Sequence, residues 1–328
     1  MRVRSRMLAG LAVLPLAVLA ACSETKNNPS AAQSTQAGGA GGYNYNIAVV
    51  THGAAGDAFW SVVKAGAEKA GSDMGDKVSY QSDGDPLKQS QLIDAAVNQK
   101  VDGLVVSMAN PDALRESIEK AVAAGIPVNT INSGQDKSAA FGAVTHVGQD
   151  ETIAGQGAGV RLKDEGVTKL VCVVHEAGNI GLEQRCAGAK EALGGSVENM
   201  QVDGNNLQSA QAAIKAKLQA DKSVNGVLTL NPGVAAVAVT AVSESGSSAK
   251  LATFDLNSDV IKAINDGKIL FAVDQQQYEQ GYLPVVLLTL YKSNLNTLGG
   301  GHPVLTGPGF VTKENAAKVA DLAKAGTR

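Results

Sequence analysis

"YNIAVVTHGAAGDAFWSVVKAGAEKAG", residues 45–71, sets the reading of the whole chain. A β-branched apolar run gives way to a polar turn, and the turn to an Ala-rich stretch. Such a run reads as a strand and such a stretch as a helix. Two bulky side chains, Phe59 and Trp60, sit together where strand becomes helix. The chain is only 4% aromatic and Trp60 is its one tryptophan, so their placement on a turn asks for a reason.

The same unit recurs. Further strands are read at "KVSYQS" (77–82), "VDGLVVS" (101–107), "IPVNTI" (126–131) and "FGAVTHV" (141–147). A second series follows at "KLVCVVH" (169–175), "SVENMQV" (196–202), "VNGVLTL" (224–230), "KLATFD" (250–255) and "ILFAVDQ" (269–275). Several are nearly continuous apolar runs, the mark of strands covered on both faces of a parallel sheet. Between them, Leu92, Ile93, Ala96 and Val97 share one helical face in "LKQSQLIDAAVNQKV". Strand alternating with helix predicts an α/β fold with doubly wound parallel sheets. The series breaks near 148–152, so two lobes with a cleft between them are expected. The first would take 45–148 plus 276–302 and the second 149–275 plus 303–328. Crossovers near 147–150, 273–276 and 302–310 would form the hinge.

The start of the chain sets the compartment. "MRVRSRMLAGLAVLPLAVLAAC" has three arginines, an apolar run and small residues, the layout of a secretory signal peptide over 1–21. Its apolar part, Met7 to Ala21, is shorter than the ~20 residues of a membrane-spanning helix. "LAAC" at 19–22 resembles the lipobox of bacterial lipoproteins, which implies that Cys22 carries lipid. Residues 22–44 then read as a flexible tether of Ser, Asn, Gln, Ala and Gly. The chain would be extracytoplasmic and held to the cell membrane by lipid alone.

Lys and Arg number 28 against 31 Asp and Glu, net −3, and loss of Arg2, Arg4 and Arg6 with the leader makes the rest more acidic. No basic stripe points to nucleic acid. Cys172 lies in a strand and Cys186 in the helix after it. In an oxidising space two remaining cysteines tend to pair, and strand and helix of one βα unit pack together, so a disulfide is expected; two buried thiols are the alternative. No other Cys, and no His at ligand spacing, suggests a metal, and no cofactor is expected.

Open α/β sheets bind ligands at the carboxyl ends of their strands. Those turns carry His52, Asp57, Phe59 and Trp60, then Asn110, then Asn132 and Ser133. The second series supplies His175, Glu176, Asn179, Arg185, Asp203, Asn205, Asn206, Asn231, Asp255 and Gln275. Carboxylates and amides accept from neighbouring hydroxyls, while amides and guanidinium donate to them. Aromatic faces cover the C–H faces of a sugar or polyol. The ligand-binding set read from the sequence is therefore Asp57, Phe59, Trp60, Asn110, Asn132, Arg185, Asn205, Asn231, Asp255 and Gln275. Each has a plainer reading: Phe59 as a staple, Trp60 as a half-exposed ring, Asp255 as a cap for a helix near Asp259, Arg185 in a surface ion pair, Asn231 as a turn residue before Pro232. His52 and His175 read as structural turn histidines.

The chain from about 46 to 312 resembles the type I periplasmic sugar-binding proteins of ABC importers, the ribose- and galactose-binding group that shares its fold with LacI-type repressor cores. "DAFW" (57–60) is similar to that group's N-P-F-F/W turn, and "INS" (131–133) stands where it has a ligand-binding Asp or Asn. "RCAG" (185–188) is similar to R-x-x-G. "LN" (230–231), "FD" (254–255) and "DQQQYEQG" (274–281) match later landmarks, with Gln275 in the binding position. The resemblance implies a monomer that captures a monosaccharide or polyol and hands it to a membrane permease. Ala58 stands where proline is common, and Asn132-Ser133 where Asp-Arg is common. Loss of that arginine and the acid at Asp57 favour a donor-rich ligand such as a linear or cyclic polyol.

The same fold leaves a furanosyl signal of the autoinducer-2 type open, as well as a ligand-loaded partner of a chemoreceptor. An exported enzyme is the rival class. The turn after the first strand lacks G-x-G-x-x-G, and "GQGAG" (155–159) lies inside a helix, where small residues allow close packing. There is no G-x-S-x-G elbow and no P-loop, so no catalytic residue is assigned.

Overall fold

The computed structural model describes residues 42–54 and 56–328. The expected signal peptide, the lipidated Cys22 and nearly all of the tether lie outside the described residues. The chain opens with β1 (Asn46–Thr51), α1 (Ala58–Met74), β2 (Lys77–Ser82), α2 (Pro86–Asn98), β3 (Gly103–Ser107), α3 (Pro111–Ala123), β4 (Val128–Ile131), the short α4 (Gln135–Ser138) and β5 (Thr145–Gln149). It continues through α5 (Glu151–Asp164), β6 (Lys169–Val174), α6 (Ile180–Leu193), β7 (Ser196–Gln201), α7 (Leu207–Ala220), β8 (Gly226–Thr229), α8 (Pro232–Ser245), β9 (Lys250–Phe254), α9 (Ser258–Asn265) and β10 (Phe271–Asp274). It ends with α10 (Gln277–Asn294), β11 (Val304–Gly307), β12 (Gly309–Thr312) and α11 (Ala316–Ala325).

The strands form two six-stranded sheets, ordered β11-β5-β4-β3-β1-β2 and β12-β10-β9-β8-β6-β7. Replacing β1 to β5 by β6 to β10, and β11 by β12, turns one order into the other. All pairings are parallel except β10 with β12. Each sheet carries an apolar core on both faces, which is why β3 and β8 are buried at every residue.

Strand-to-helix turns start their helices with Asx caps. The side chains of Asp57, Asp85, Asn110, Asn179, Asn231 and Asn257 accept from free N–H groups of the first turn, and Pro follows at 86, 111 and 232. Glycines let one helix pair in each lobe approach closely. A Cβ at Gly155 would lie 2.1 Å from the Arg185 carbonyl oxygen, joining α5 to α6, and one at Gly281 would lie 1.9 Å from that of Val63, joining α10 to α1. The "GQGAG" glycines thus serve packing.

The chain passes between lobes at 149–151, 274–277 and 307–309. Residues 303–307 were expected in the second lobe, but β11 pairs with β5 of the first sheet. The crossover, expected within 302–310, falls at Gly307-Pro308-Gly309, where β11 ends and β12 joins the other sheet. Tyr43 and Asn44, expected in the tether, already donate backbone N–H groups to Met74 and Gly75 at the end of α1. Residues 141–144, expected at the start of the fifth strand, come before it, and Phe141 ends a 3₁₀ turn over 139–141. Cys172 on β6 and Cys186 on α6 form a disulfide, and both are buried.

Candidate functional site

The carboxyl ends of both sheets face one another across a cleft, and its inner part is a narrow cavity. Eight of the ten expected residues line it: Asp57, Phe59, Trp60, Asn132, Arg185, Asn231, Asp255 and Gln275. Asn110 and Asn205 do not. Both stand in a wider outer chamber of about 990 Å³ that opens to solvent. Asn110 caps α3, its Oδ1 accepting from Ala113 N, which holds the side chain at the rim. Asn205 stays exposed in the turn before α7, its N–H given to the Asp203 carboxylate.

The aromatic wall comes from the first turn of α1. Trp60 meets Phe59 and His52 edge to face, with ring centroids 4.9 and 4.6 Å away. A Cβ on Gly53 would lie 2.3 Å from the indole, so the glycine after His52 makes room for it. Trp60 is 6% exposed and Phe59 5%, and both join the core under β1. The rings are therefore core residues and cavity wall together; the half-exposed tryptophan is not found. Asp57 Oδ1 accepts from Trp60 N–H, which ties the turn to the rings.

Charge comes from the second lobe. Arg185 makes a two-pronged pair with Glu151, Nε to Oε2 at 2.6 Å and Nη2 to Oε1 at 2.8 Å, both side chains buried. The ion pair that was the plainer reading of Arg185 exists, but in the interior and not at the surface, and its partner had no sequence signal. The guanidinium lies over Phe254, 4.6 Å from the ring centre. Burial pushes the Asp255 carboxyl up to about 7, with Arg185 and the Gln275 amide pulling the other way. Asp255 caps nothing; Asn257 is the cap of α9.

A chain of amides crosses the hinge. Asn132 Nδ2 donates to Gln275 Oε1 (3.1 Å), and Gln275 Nε2 donates to Asp255 Oδ1 (2.7 Å). Gln280 Nε2 holds Gln275 from behind. The backbone at Asn132, Asp255 and Gln276 is left-handed, with φ of 60, 68 and 55°. Left-handed non-glycine residues are costly and cluster at ligand sites. Farther out, Asn231 Nδ2 donates to Asp57 Oδ2 at 3.1 Å, one cap bonded to the other across the cleft.

Four further residues line the cavity with polar atoms but stood outside the expected set: His52, His175, Glu176 and Asn179. Each follows a strand, and that position was their only signal. His52 Nδ1 is bound to Ser107 Oγ at 2.7 Å, so its Nε2 faces the cleft. The Glu176 carboxylate lies 3.7 Å from His52 and 3.8 Å from His175. Burial holds both imidazoles well below the usual range, to about 3 for His52 and about 4 for His175, so both are neutral at pH 7. No group of His, Cys, Asp and Glu among the described residues could hold a metal ion, and no described helix is long and apolar enough to cross a membrane.

Two pseudo-equivalent lobes, with polar strand ends meeting across one cleft, can grip a small hydroxylated molecule from both sides. Residues 47–294 match the model of the periplasmic binding protein domain. The chain belongs to that family. Within it, the chain is 27% identical to the ribose import binding protein RbsB of Bacillus subtilis over 80% of its own length and 85% of that protein's. It is 25% identical to the xylose/arabinose-binding protein XylF of Sulfolobus acidocaldarius, over 68% of this chain and 60% of that one. Among solved structures, a carbohydrate transporter from Acidothermus cellulolyticus in complex with myo-inositol superposes with a TM-score of 0.86. It is 43% identical, and the match spans 87% of this chain and all of the other.

Proposed function

We propose that this protein is an extracytoplasmic solute-binding protein that captures one small polyhydroxylated molecule between its lobes and delivers it to an ABC importer. The relatives are sugar-binding transport proteins rather than enzymes. What carries the reading is the lining itself: carboxylates, amides and a guanidinium from both lobes converge on one narrow space, with an indole as one wall. Side chains drawn this close together suit one small ring rather than an oligosaccharide.

The polar set favours a cyclic polyol. Asp57 and Glu176 bring acceptor carboxylates, and Asp255, raised to about 7, joins them when ionised, whereas much of Arg185's donor capacity is spent on Glu151. A ligand must therefore offer many O–H donors and has little need of a donor for a ring oxygen. An inositol offers a hydroxyl on every ring carbon and has no ring oxygen. The myo-inositol bound by the Acidothermus relative has this chemistry.

Capture follows from the hinge. Ligand touches both lobes only when they close, so binding shifts the population toward the closed form, which the permease would recognise. Lipid on Cys22 and the tether would keep a monomeric receptor beside that permease; Cys22→Ala should release the protein from the membrane fraction.

The test is a thermal-shift screen against inositols, linear polyols, pentoses, hexoses and nucleosides, with Trp60 emission followed in parallel. A ligand that binds only the native state raises the midpoint with its concentration. A shift from an inositol with a change in Trp60 emission supports the reading. A flat result across the panel overturns it.

A further inference from the structure

The first turn of α6 belongs to the second lobe, yet it is docked on the first. Ile180 N–H donates to the Ala109 carbonyl across the cleft at 3.1 Å. The Ser133 hydroxyl reaches Asn179 Oδ1 at 3.1 Å, and Gln184 Nε2 donates to Asp136 Oδ2 at 2.9 Å. In the middle of this seam sits Gly181, buried against Ser133. A Cβ there would lie 2.7 Å from Ser133 Oγ and 3.3 Å from Ser133 Cβ. Ser133, Asp136, Gly181 and Gln184 line neither the inner cavity nor the outer chamber.

Gly181 has no local reason to be glycine. It is the second residue of α6 and its φ is not positive, so alanine would suit the helix better. The space a side chain would need is taken by Ser133, which belongs to the opposite lobe. Separate the lobes and the obstruction goes.

We propose that Gly181 is the contact that permits closure: a bare helical turn that lets α6 seat on Ser133, Ala109 and Asp136, so that this seam sets the open–closed balance and, through it, affinity for every ligand by one common factor. The proposal rests on the capture reading above. Gly181, Asp136 and Gln184 line neither space, so changing them acts on the free energy of closing, whereas Ser133 also donates to Asn132 and Asn179. A gripping residue would act differently on different ligands. Ser133 could rotate away from a methyl group at 181, but it would then give up its bond to Asn179, so alanine already weakens the seam.

The experiment compares the wild type with Gly181→Ala and Gly181→Leu. Affinity for myo-inositol should fall about tenfold for alanine and further for leucine, through faster dissociation. Any other compound that shifts the wild type should lose affinity by the same factor. The unliganded melting temperature should stay level or rise. Ser133→Gly in the Gly181→Leu background should restore only part of the affinity, because the clash goes while the Ser133 bonds to Asn179 and Asn132 stay lost. Unchanged affinity in Gly181→Leu overturns the proposal, as does a loss confined to one ligand or matched by a drop in unliganded stability.

If the wild type binds no polyol or sugar, the ligand reading falls and the seam is tested alone. Cysteines at Asp136 and Gln184, in a Cys22→Ala background, are trapped by mild oxidation whenever the lobes close. Slower trapping with Gly181→Ala supports the seam; an equal rate overturns it.

Discussion

At the end of its fourth strand the first lobe carries Asn132; at the matching place, the end of β9, the second carries Asp255. Both are left-handed at φ of 60 and 68°, and both backbone N–H groups bond to the neighbouring strand, at Val147 O and Val273 O. The same pairing holds elsewhere. His52 matches His175 after the first strand of each series, Asp57 matches Asn179 as helix cap, and Asn110 matches Asn231. The scaffold is common to both lobes and the furnishing is not. The first lobe adds the rings of Phe59 and Trp60; the second has Leu182 and then Arg185, locked to Glu151. One lobe offers a face and the other a fixed charge, so only closure assembles both.

The largest expected break falls on the second lobe's charge. Glu151→Ala would strand a buried guanidinium and cost about 3–5 kcal/mol of stability, measured by urea unfolding. The disulfide beside Arg185 is also particular to this lobe. Cys172→Ala with Cys186→Ala should cost about 3 kcal/mol by the same measurement, given the short loop it closes. Mass spectrometry of the non-reduced protein should show the two cysteines linked.

Asp255→Asn should weaken ligand binding by about 1.5–3 kcal/mol, the range for a hydrogen bond to a charged group, while Asn132→Ala should cost less. The acid also leaves a pH signature in the unliganded protein. Its folded value, about 7, is raised above that of an unfolded aspartate, so its contribution is fully present below about pH 4 and is lost as pH rises through 7. His52 and His175 act oppositely: their folded values are depressed, so their contribution is present above about pH 6.5 and lost as pH falls. Comparing wild type with Asp255→Asn isolates the first slope, and wild type should lose stability relative to the variant between pH 4 and 7. The smallest effect belongs to the first lobe's wall. Trp60→Phe should cost about 0.5–1.5 kcal/mol of affinity by calorimetry, since a smaller ring keeps part of the face.

The two sheets were legible because buried parallel strands write themselves as apolar runs, and the turns between them as Asx, Gly and Pro. Ring positions were legible too, since Phe59 and Trp60 stand where a strand end meets a helix. Asx residues were the hard case. A cap and a ligand contact call for the same side chain at the same turn, and Asp57 and Asn231 cap helices while lining the cavity, whereas Asn110 caps a helix at the rim. Depth in the cleft separates them, and no spacing in the sequence encodes depth. Glu151 was out of reach for a related reason: its tie to Arg185 depends on two helices brought together by glycines. Strand β11 and its place in the first sheet were missed because a four-residue strand beside Pro308 carries little pattern.

The most direct measurement is a calorimetric titration of myo-inositol into the wild type, Asn132→Ala and Asp255→Ala. The account predicts saturable one-to-one binding that weakens in both variants, because each lobe contributes to the grip. No binding by the wild type, or affinity unchanged in both variants, would contradict it.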